Sequence, residues 1–311
     1  MSRFRQISRP ILTSIRQEIP NRTPKLLLTV FGDTIQPHGG EIWLGSLIRL
    51  LKPLGINERL VRTSVFRLAR DGWLESTREG RRSFYRLTPT ALPSVESAER
   101  RIYHAPQRHW NGRWNLVFTG TAGITSEQRA ELRKRLSWLG FGTIAPNVFG
   151  HPCAPMEPVW ELFEALDVSG QAAVMRAQRI DSDQGLSTAE MVSQCFDLRQ
   201  LEHSYRKFIR RYSKLGEALA AGADPSGEEP VHCFILKTML VHHYRRLLLR
   251  DPQLPAPLLP RDWAGSDARR LCATLYRALA PQAARFVTAT CENRDGPYRA
   301  IGQKYRRRFG K

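Results

Sequence analysis

Carboxylates are scarce in this chain. Its 311 residues hold 29 Asp and Glu against 48 Lys and Arg, a formal charge of +19. Long apolar runs are missing as well. No stretch reaches the roughly 18 residues that a bilayer span demands, so no membrane segment is expected. Met1 to Pro24 has no apolar core of the secretory type. The five cysteines, Cys153, Cys195, Cys233, Cys272 and Cys291, form no C-x-x-C pair and are widely spread. That pattern argues against a disulfide framework and suits reduced, mostly packed thiols in a cytoplasmic protein. The His and Cys groupings are His151 with Cys153, His232 with Cys233, and His242 with His243. Neighbours on a helix point about 100° apart and rarely share one ion, so neither a metal site nor a cofactor is expected. There is no internal repeat.

What is present points to a polyanionic partner. A large cationic surplus gains from phosphate neutralisation, because condensed counterions are released. Anionic membranes would draw on the same charge, and a basic surface kept for solubility is the plain alternative. Hydrophobic residues make up 41% of the chain, enough for globular domains.

Six segments are expected along the chain. Residues 1–24 are polar and carry Arg3, Arg5, Arg9, Arg16 and Arg22 between Pro10, Pro20 and Pro24; they read as a loosely docked basic extension. Residues 25–92 read as helix, short strand, helix, tight turn at Pro53 and Gly55, helix, then hairpin. Asn57 stands at an N-cap position and Gly72 closes the third helix. Ser83 to Leu87 pairs with the strand before it across a Gly80 turn. This is the layout of a winged helix-turn-helix. Residues 93–109 are charged and irregular, a linker. Residues 110–183 follow the order βαββαβ of a ferredoxin-like domain, with Ser126 capping its first helix and a last strand from Ala172 to Ile180. Residues 184–295 are helical, with a proline-bound extended stretch from Asp251 to Pro260 and separate helices near Ser266–Leu279 and Pro281–Thr290. Residues 296–311, with Lys304, Arg306, Arg307, Arg308 and Lys311, read as a basic tail. The fold class expected is α+β.

The chemistry concentrates on the helix from Glu58. Wound at about 100° per residue, it gathers Leu60, Val61, Val65, Leu68 and Ala69 on one side and Arg59, Arg62, Thr63, Arg67 and Arg70 on the other. An arginine-rich face of this kind suits the major groove. Arg59, Arg62 and Thr63, near the N-terminus, are expected to read bases, with Glu58 able to accept from a cytosine amino group. Arg67 and Arg70 are expected on phosphate. Phe66 either meets a thymine methyl or packs beneath the hairpin. Arg78, Arg81 and Arg82 make the hairpin tip basic, fit for phosphate or minor-groove contact. The alternative for both regions is a solvated basic surface.

The stretch Leu60-Val61-Arg62-Thr63-Ser64-Val65-Phe66-Arg67-Leu68-Ala69-Arg70-Asp71-Gly72-Trp73-Leu74 resembles the recognition helix of the PaaX family, repressors of phenylacetic acid catabolism. The likeness continues at Tyr85-Arg86-Leu87-Thr88 and Trp110-Asn111-Gly112-Arg113-Trp114. It returns at His243-Tyr244-Arg245-Arg246, Leu249-Arg250-Asp251-Pro252 and Leu258-Leu259-Pro260-Arg261-Asp262-Trp263. The resemblance implies a winged helix, a central Cas2-like ferredoxin fold and an all-helical C-terminal domain. It also implies a homodimer on a palindromic double-stranded operator, released when phenylacetyl-CoA or a related aryl-acyl-CoA binds.

Such an effector needs arginines for its phosphates and an apolar slot for its acyl group. His242, His243, Arg245, Arg246, Arg250 and Trp263 are the candidates. Arg246 and Arg250 lie four apart, on one helical face. The alternative is that these arginines pair with Asp251, Asp262 or Glu202 and that Trp263 is core. A Cas2-type fold also raises a metal-dependent nuclease, but the first strand ends Val117-Phe118-Thr119-Gly120 with no acid to anchor Mg²⁺. No catalytic residue is expected. A nuclease and a non-specific nucleic-acid-binding protein remain the competing readings.

Overall fold

The computed structural model describes residues 3–18, 23–104, 110–178, 185–302, 305 and 307–310. Parts of several expectations lie outside them: Pro20 and Arg22 of the extension, residues 105–109 of the linker, Arg179 and Ile180 of the last strand, and Lys304, Arg306 and Lys311 of the tail. The chain forms two compact units. The first comprises Met1–Ala105, Arg206–Arg246 and Ser266–Lys311, the second Pro106–Tyr205 and Leu247–Gly265.

The first unit opens with helix α1 (Arg3–Glu18), which contains Pro10. Phe4, Ser8, Leu12 and Ile15 are buried along one stripe. A helical spacing of that kind sets a docked face, so the segment expected as an arm is a packed element; its exposed arginines masked the stripe. Helix α2 (Thr23–Val30) runs into a π-helical turn at Phe31–Ile35 and a 3-10 turn at Gln36–His38. Strand β1 (Glu41–Trp43) and helix α3 (Leu44–Leu51) follow. Gly55, at φ 80°, ends the tight turn after Lys52–Leu54. Helix α4 (Glu58–Arg70) packs on α2 and is capped by Asn57, whose side chain accepts from the Leu60 amide at 2.9 Å. Strands β2 (Leu74–Glu79) and β3 (Arg82–Leu87) form an antiparallel hairpin, and β1 adds to it in the order β1-β3-β2. The turn is two residues, with Gly80 at φ 55°.

The linker expectation fails over Leu92–Tyr103, which is helix α5. Val95, Ile102 and Tyr103 are buried on one side, and the charges interspersed among them, Glu96 and Arg100 exposed and Glu99 turned inward, disguised the period.

Helix α9 (Leu198–Ala220) contributes Arg206 onward to this unit, α10 (Pro230–Leu248) its residues to Arg246, and α11 (Ala264–Thr290) its residues from Ser266. Cys233 to His242 of α10 are buried around the whole helix. A helix buried on all sides is a core element, and its polar members, Lys237, Thr238 and His242, are buried with it. Thiol burial here pushes Cys233 up to about 12. Helix α11 is continuous through Pro281, where a break between two helices was expected; its first turn and its body lie in one helical path. A short ribbon, β8 (Glu292–Asn293) with β9 (Gly296–Pro297), follows it and lies against β1. The C-terminal part is therefore not wholly helical.

A buried polar cluster joins these segments. Asp33 accepts from Lys237 Nζ at 2.7 Å and from the Tyr103 hydroxyl at 2.5 Å. Arg308 reaches the Asp33 carboxylate at 3.3 Å and its carbonyl at 2.7 Å, and pairs with Glu99 at 3.1 Å. Its guanidinium lies 4.3 Å over the Tyr103 ring. The tail expectation therefore fails at Arg308, which is buried: a cation with two carboxylates within reach is held inside.

In the second unit, strands β4 (Arg113–Phe118), β5 (Gly142–Ala145), β6 (Val148–His151) and β7 (Ala173–Gln178) alternate with α6 (Ser126–Trp138) and α7 (Glu157–Ala165). The sheet runs β5-β6-β4-β7 and is antiparallel throughout. This is the βαββαβ order expected. Thr125, not Ser126, caps α6: it accepts from the Gln128 amide, and Gln128 returns the bond to the Thr125 amide. The Gln three residues on makes Thr125 the better cap.

Alternation along β4 divides the core. Val117 packs with Phe149, Leu132, Leu136, Val159 and Phe163 on one face. Trp114 and Leu116 pack on the other with Val192 and Phe196 around α8 (Thr188–Cys195), and with Leu254 and Leu258 of the proline-rich stretch. That stretch includes a 3-10 turn at Ala256–Leu258. His151 is fully buried. Its Nδ1 accepts from the Cys153 amide at 3.0 Å, which leaves Nε2–H to donate to the Pro252 carbonyl at 2.8 Å.

Candidate nucleic-acid interface

Helix α4 buries Val61, Ser64, Val65 and Leu68, with Leu60 and Ala69 half-buried. Glu58, Arg59, Arg62, Thr63, Phe66, Arg67 and Arg70 are all exposed. The apolar stripe that fixes the helix against its neighbours leaves the arginine face to solvent. Phe66 is 70% exposed, so of its two expected places packing beneath the hairpin is not the one it takes.

Two of the four arginines have a local partner. Arg62 donates to Glu58 at 2.8 Å, and Arg70 to Asp71 at 3.2 Å. Glu58 is thereby occupied on its own helix, one turn from Arg62. Exposed pairs of this sort contribute about 0–1 kcal/mol, and a phosphate or a guanine edge can replace them. Arg59 and Arg67 make no side-chain hydrogen bond or ion pair among the described residues. Thr63 returns its hydroxyl to the Arg59 carbonyl at 2.9 Å.

At the hairpin, Arg78 bonds the Gly80 carbonyl at 3.1 Å, and Arg81 is exposed at the tip. Arg82 turns back: it pairs with Glu292 at 3.3 Å and lies 4.6 Å over the Trp43 ring. The ribbon supports the sheet from behind. Arg294 grips Glu41 with two nitrogens, each at 2.9 Å, and the Tyr298 hydroxyl donates to the Glu41 carbonyl at 2.6 Å. His38 stacks on Tyr298 with ring centroids 4.8 Å apart and bonds the Arg299 carbonyl at 2.7 Å. Sequence reasoning missed Trp43, Arg49, Glu292 and Arg294. Arg82 and Glu292 are 210 positions apart, and no local period connects them.

The six effector candidates divide between the units. His242, His243, Arg245 and Arg246 belong to the first, Arg250 and Trp263 to the second. His242 is buried with Nδ1 3.0 Å from the Thr29 hydroxyl. His243 takes the Tyr212 hydroxyl at 2.9 Å and lies 3.4 Å from Glu18. Burial lowers the pKa of Arg245, with the Tyr103 hydroxyl acting against it. Trp263 is buried and packs edge-on to Tyr205 at 5.7 Å, the core role that was the alternative for it. Arg250 is exposed at the rim of a cavity of about 250 Å³ in the second unit. Phe141, Phe196, Leu198, Leu201 and Leu247 supply its apolar wall. Asp251 at its edge accepts the Tyr205 hydroxyl at 2.5 Å.

No helix among the described residues is long and apolar enough to cross a membrane. Three family models match the chain in order: PaaX-like protein over residues 22–91, the PaaX protein central Cas2-like domain over 107–192, and the PaaX-like protein C-terminal domain over 196–289. The transcriptional repressor PaaX of Escherichia coli (strain K12) is 37% identical over 292 residues, spanning 94% of this chain and 91% of that protein. Among solved structures, the uncharacterized protein Rv0674 from Mycobacterium tuberculosis is 24% identical, with a TM-score of 0.47 over 76% of this chain and 88% of the other. On the order and extent of these matches, the chain belongs to the PaaX family, with a Cas2-like domain at its centre.

Proposed function

We propose that the first unit carries a winged helix-turn-helix, and that the protein is a sequence-specific DNA-binding transcriptional repressor of an aromatic-acid, phenylacetate-degrading operon. The observation that carries this reading is the free face of α4, where Arg59, Arg62, Thr63, Phe66, Arg67 and Arg70 are exposed together. The relative named as a transcriptional repressor supports it. In this reading α4 enters the major groove, its first two turns contact base edges, and the β2–β3 hairpin grips the backbone. A homodimer presents two such helices to a palindromic site.

An aryl-acyl-CoA such as phenylacetyl-CoA is the effector in this proposal. The cavity beside Arg250 supports it: a void of about 150 Å³ accepts benzene, and this one, at about 250 Å³, has room for one ring and a short chain. The nucleotide would stay outside, with Arg250 at the mouth. For release to follow, the effector must bind the DNA-free state more tightly than the operator-bound one.

Selection of operator duplexes from a random pool, followed by footprinting, tests the DNA reading. Arg62→Ala is expected to cost about 1–3 kcal/mol on the selected site and to relax preference at one base position. Equal affinity of the wild-type protein for selected and scrambled duplexes would sink the repressor reading in favour of a non-specific binder. Calorimetry with phenylacetyl-CoA tests the effector; Arg250→Ala is expected to weaken it, and unchanged affinity moves the site elsewhere.

A further inference from the structure

Arg49 of α3 and Arg82 of β3 come together although neither element's period links them. Their guanidinium carbons lie 4.9 and 4.6 Å from the centre of the same Trp43 ring. One carboxylate, that of Glu292, spans both: Oε1 is 3.4 Å from Arg49 and Oε2 is 3.3 Å from Arg82. Arg49 is further steadied by the Ser46 hydroxyl at 3.0 Å and the Thr290 carbonyl at 3.2 Å. Both side chains are about half exposed, at 49% and 53%, while Glu292 is only 24% exposed. The indole lies over Gly45, where a Cβ would come within 2.6 Å of the ring.

Two cations held against one aromatic ring repel each other unless an anion sits between them. In the DNA-free protein that anion is Glu292. A phosphate offers the same bidentate geometry with more charge, from the solvent side that Glu292 leaves open. We propose that Arg49, Trp43 and Arg82 form a clamp for one backbone phosphate of duplex DNA beside the hairpin, and that Glu292 is its internal stand-in, competing with that phosphate. The clamp extends the DNA-contacting set to α3 and makes the ribbon after α11 a brake on affinity. It rests on the reading of the first unit as a DNA-binding module.

Phosphate contacts carry no base information, so the clamp must act alike on all duplexes. The test uses full-length protein, titrated by fluorescence anisotropy with selected and scrambled duplexes over a range of salt. Arg49→Gln is expected to weaken both complexes about fivefold, the scale of one exposed ion pair. It should also flatten the log–log salt slope by about 0.9, one phosphate's worth. Glu292→Gln is expected to tighten both about two- to fivefold, with their ratio unchanged. Arg49→Lys keeps the charge without the fork and should fall between wild type and Arg49→Gln, which guards against a folding defect in the latter. An unchanged slope in Arg49→Gln, or weaker binding by Glu292→Gln, overturns the clamp. If Arg62→Ala loses the selected site while Arg49→Gln binds as wild type, the clamp alone fails; if wild type binds neither duplex, the DNA reading fails first.

Discussion

Asp33 illustrates how a single side chain can decide the fate of a unit. Burial alone would raise its carboxyl, but the charges of Lys237 and Arg308, with hydrogen bonds from Lys237 and Tyr103, hold it below the ordinary aspartate range. Burial would likewise depress Lys237, and Asp33 reverses that, leaving it raised. Removing the acid leaves two buried cations facing each other. Asp33→Ala is therefore expected to cost about 3–5 kcal/mol by chemical denaturation. Lys237→Met should cost less, because Asp33 keeps Arg308 and the two tyrosine hydroxyls near it. His38 acts in the same sense with pH as Asp33, in a higher window. Burial lowers its pKa, the Arg299 carbonyl works against this, and the charges of Lys237 and Arg308 lower it further. A histidine depressed in the fold adds no penalty above its unfolded value near 6.5; below that, the unfolded chain takes up the proton first and stability falls. The thermal midpoint should drop between about pH 7 and pH 5.5, and His38→Gln should flatten the drop. An equal decline in the variant would remove His38 as its source.

At the scale of elements, α4 depends on its first turn. Asn57 satisfies the Leu60 amide, and the residues expected to read bases start two positions later. Asn57→Ala should cost about 1 kcal/mol of stability. It should also weaken binding to the selected site through fraying of that turn, visible as faster amide exchange at residues 58–61. Helix α4 was legible because a strong apolar stripe and an arginine face share one period, with a cap before and Gly72 after. The four strands of the Cas2-like domain were legible as short apolar runs set off by glycine-bearing turns and by two helical segments between them. Helices α1 and α5 were not. In both, arginines and glutamates outnumber the few apolar residues that set the period, and Pro10 and Pro93 read as breaks. The candidate interface divides the same way. Its α4 and tip arginines are local features, whereas the Arg49–Trp43–Arg82 stack exists only because β1, β3, helix α3 and a distant ribbon converge.

For the molecule as a whole, the charge of +19 and the family assignment point the same way. The first unit is assembled from three separate stretches of chain, and the last of them holds the first through Glu292 on Arg82, Arg294 and Tyr298 on Glu41, and Arg308 on Asp33. Residues 23–91 expressed alone are accordingly expected to melt without a sharp transition and to bind duplex weakly. Adding back the helical stretches in the full chain should restore both. A fragment that folds cooperatively would show that the buried Asp33 cluster is dispensable.

That interleaving has a consequence during synthesis. The hairpin is translated early, yet Glu292, the carboxylate that pairs with its Arg82, follows 210 positions later. A chain stopped at Thr290 has neither the carboxylate that Arg49 and Arg82 share nor the arginine that pairs with Asp33. Its α4 surface is made, but the supports that fold back onto β1, β3 and Asp33 are not, so such a chain is expected to unfold at a lower denaturant concentration than the full-length protein.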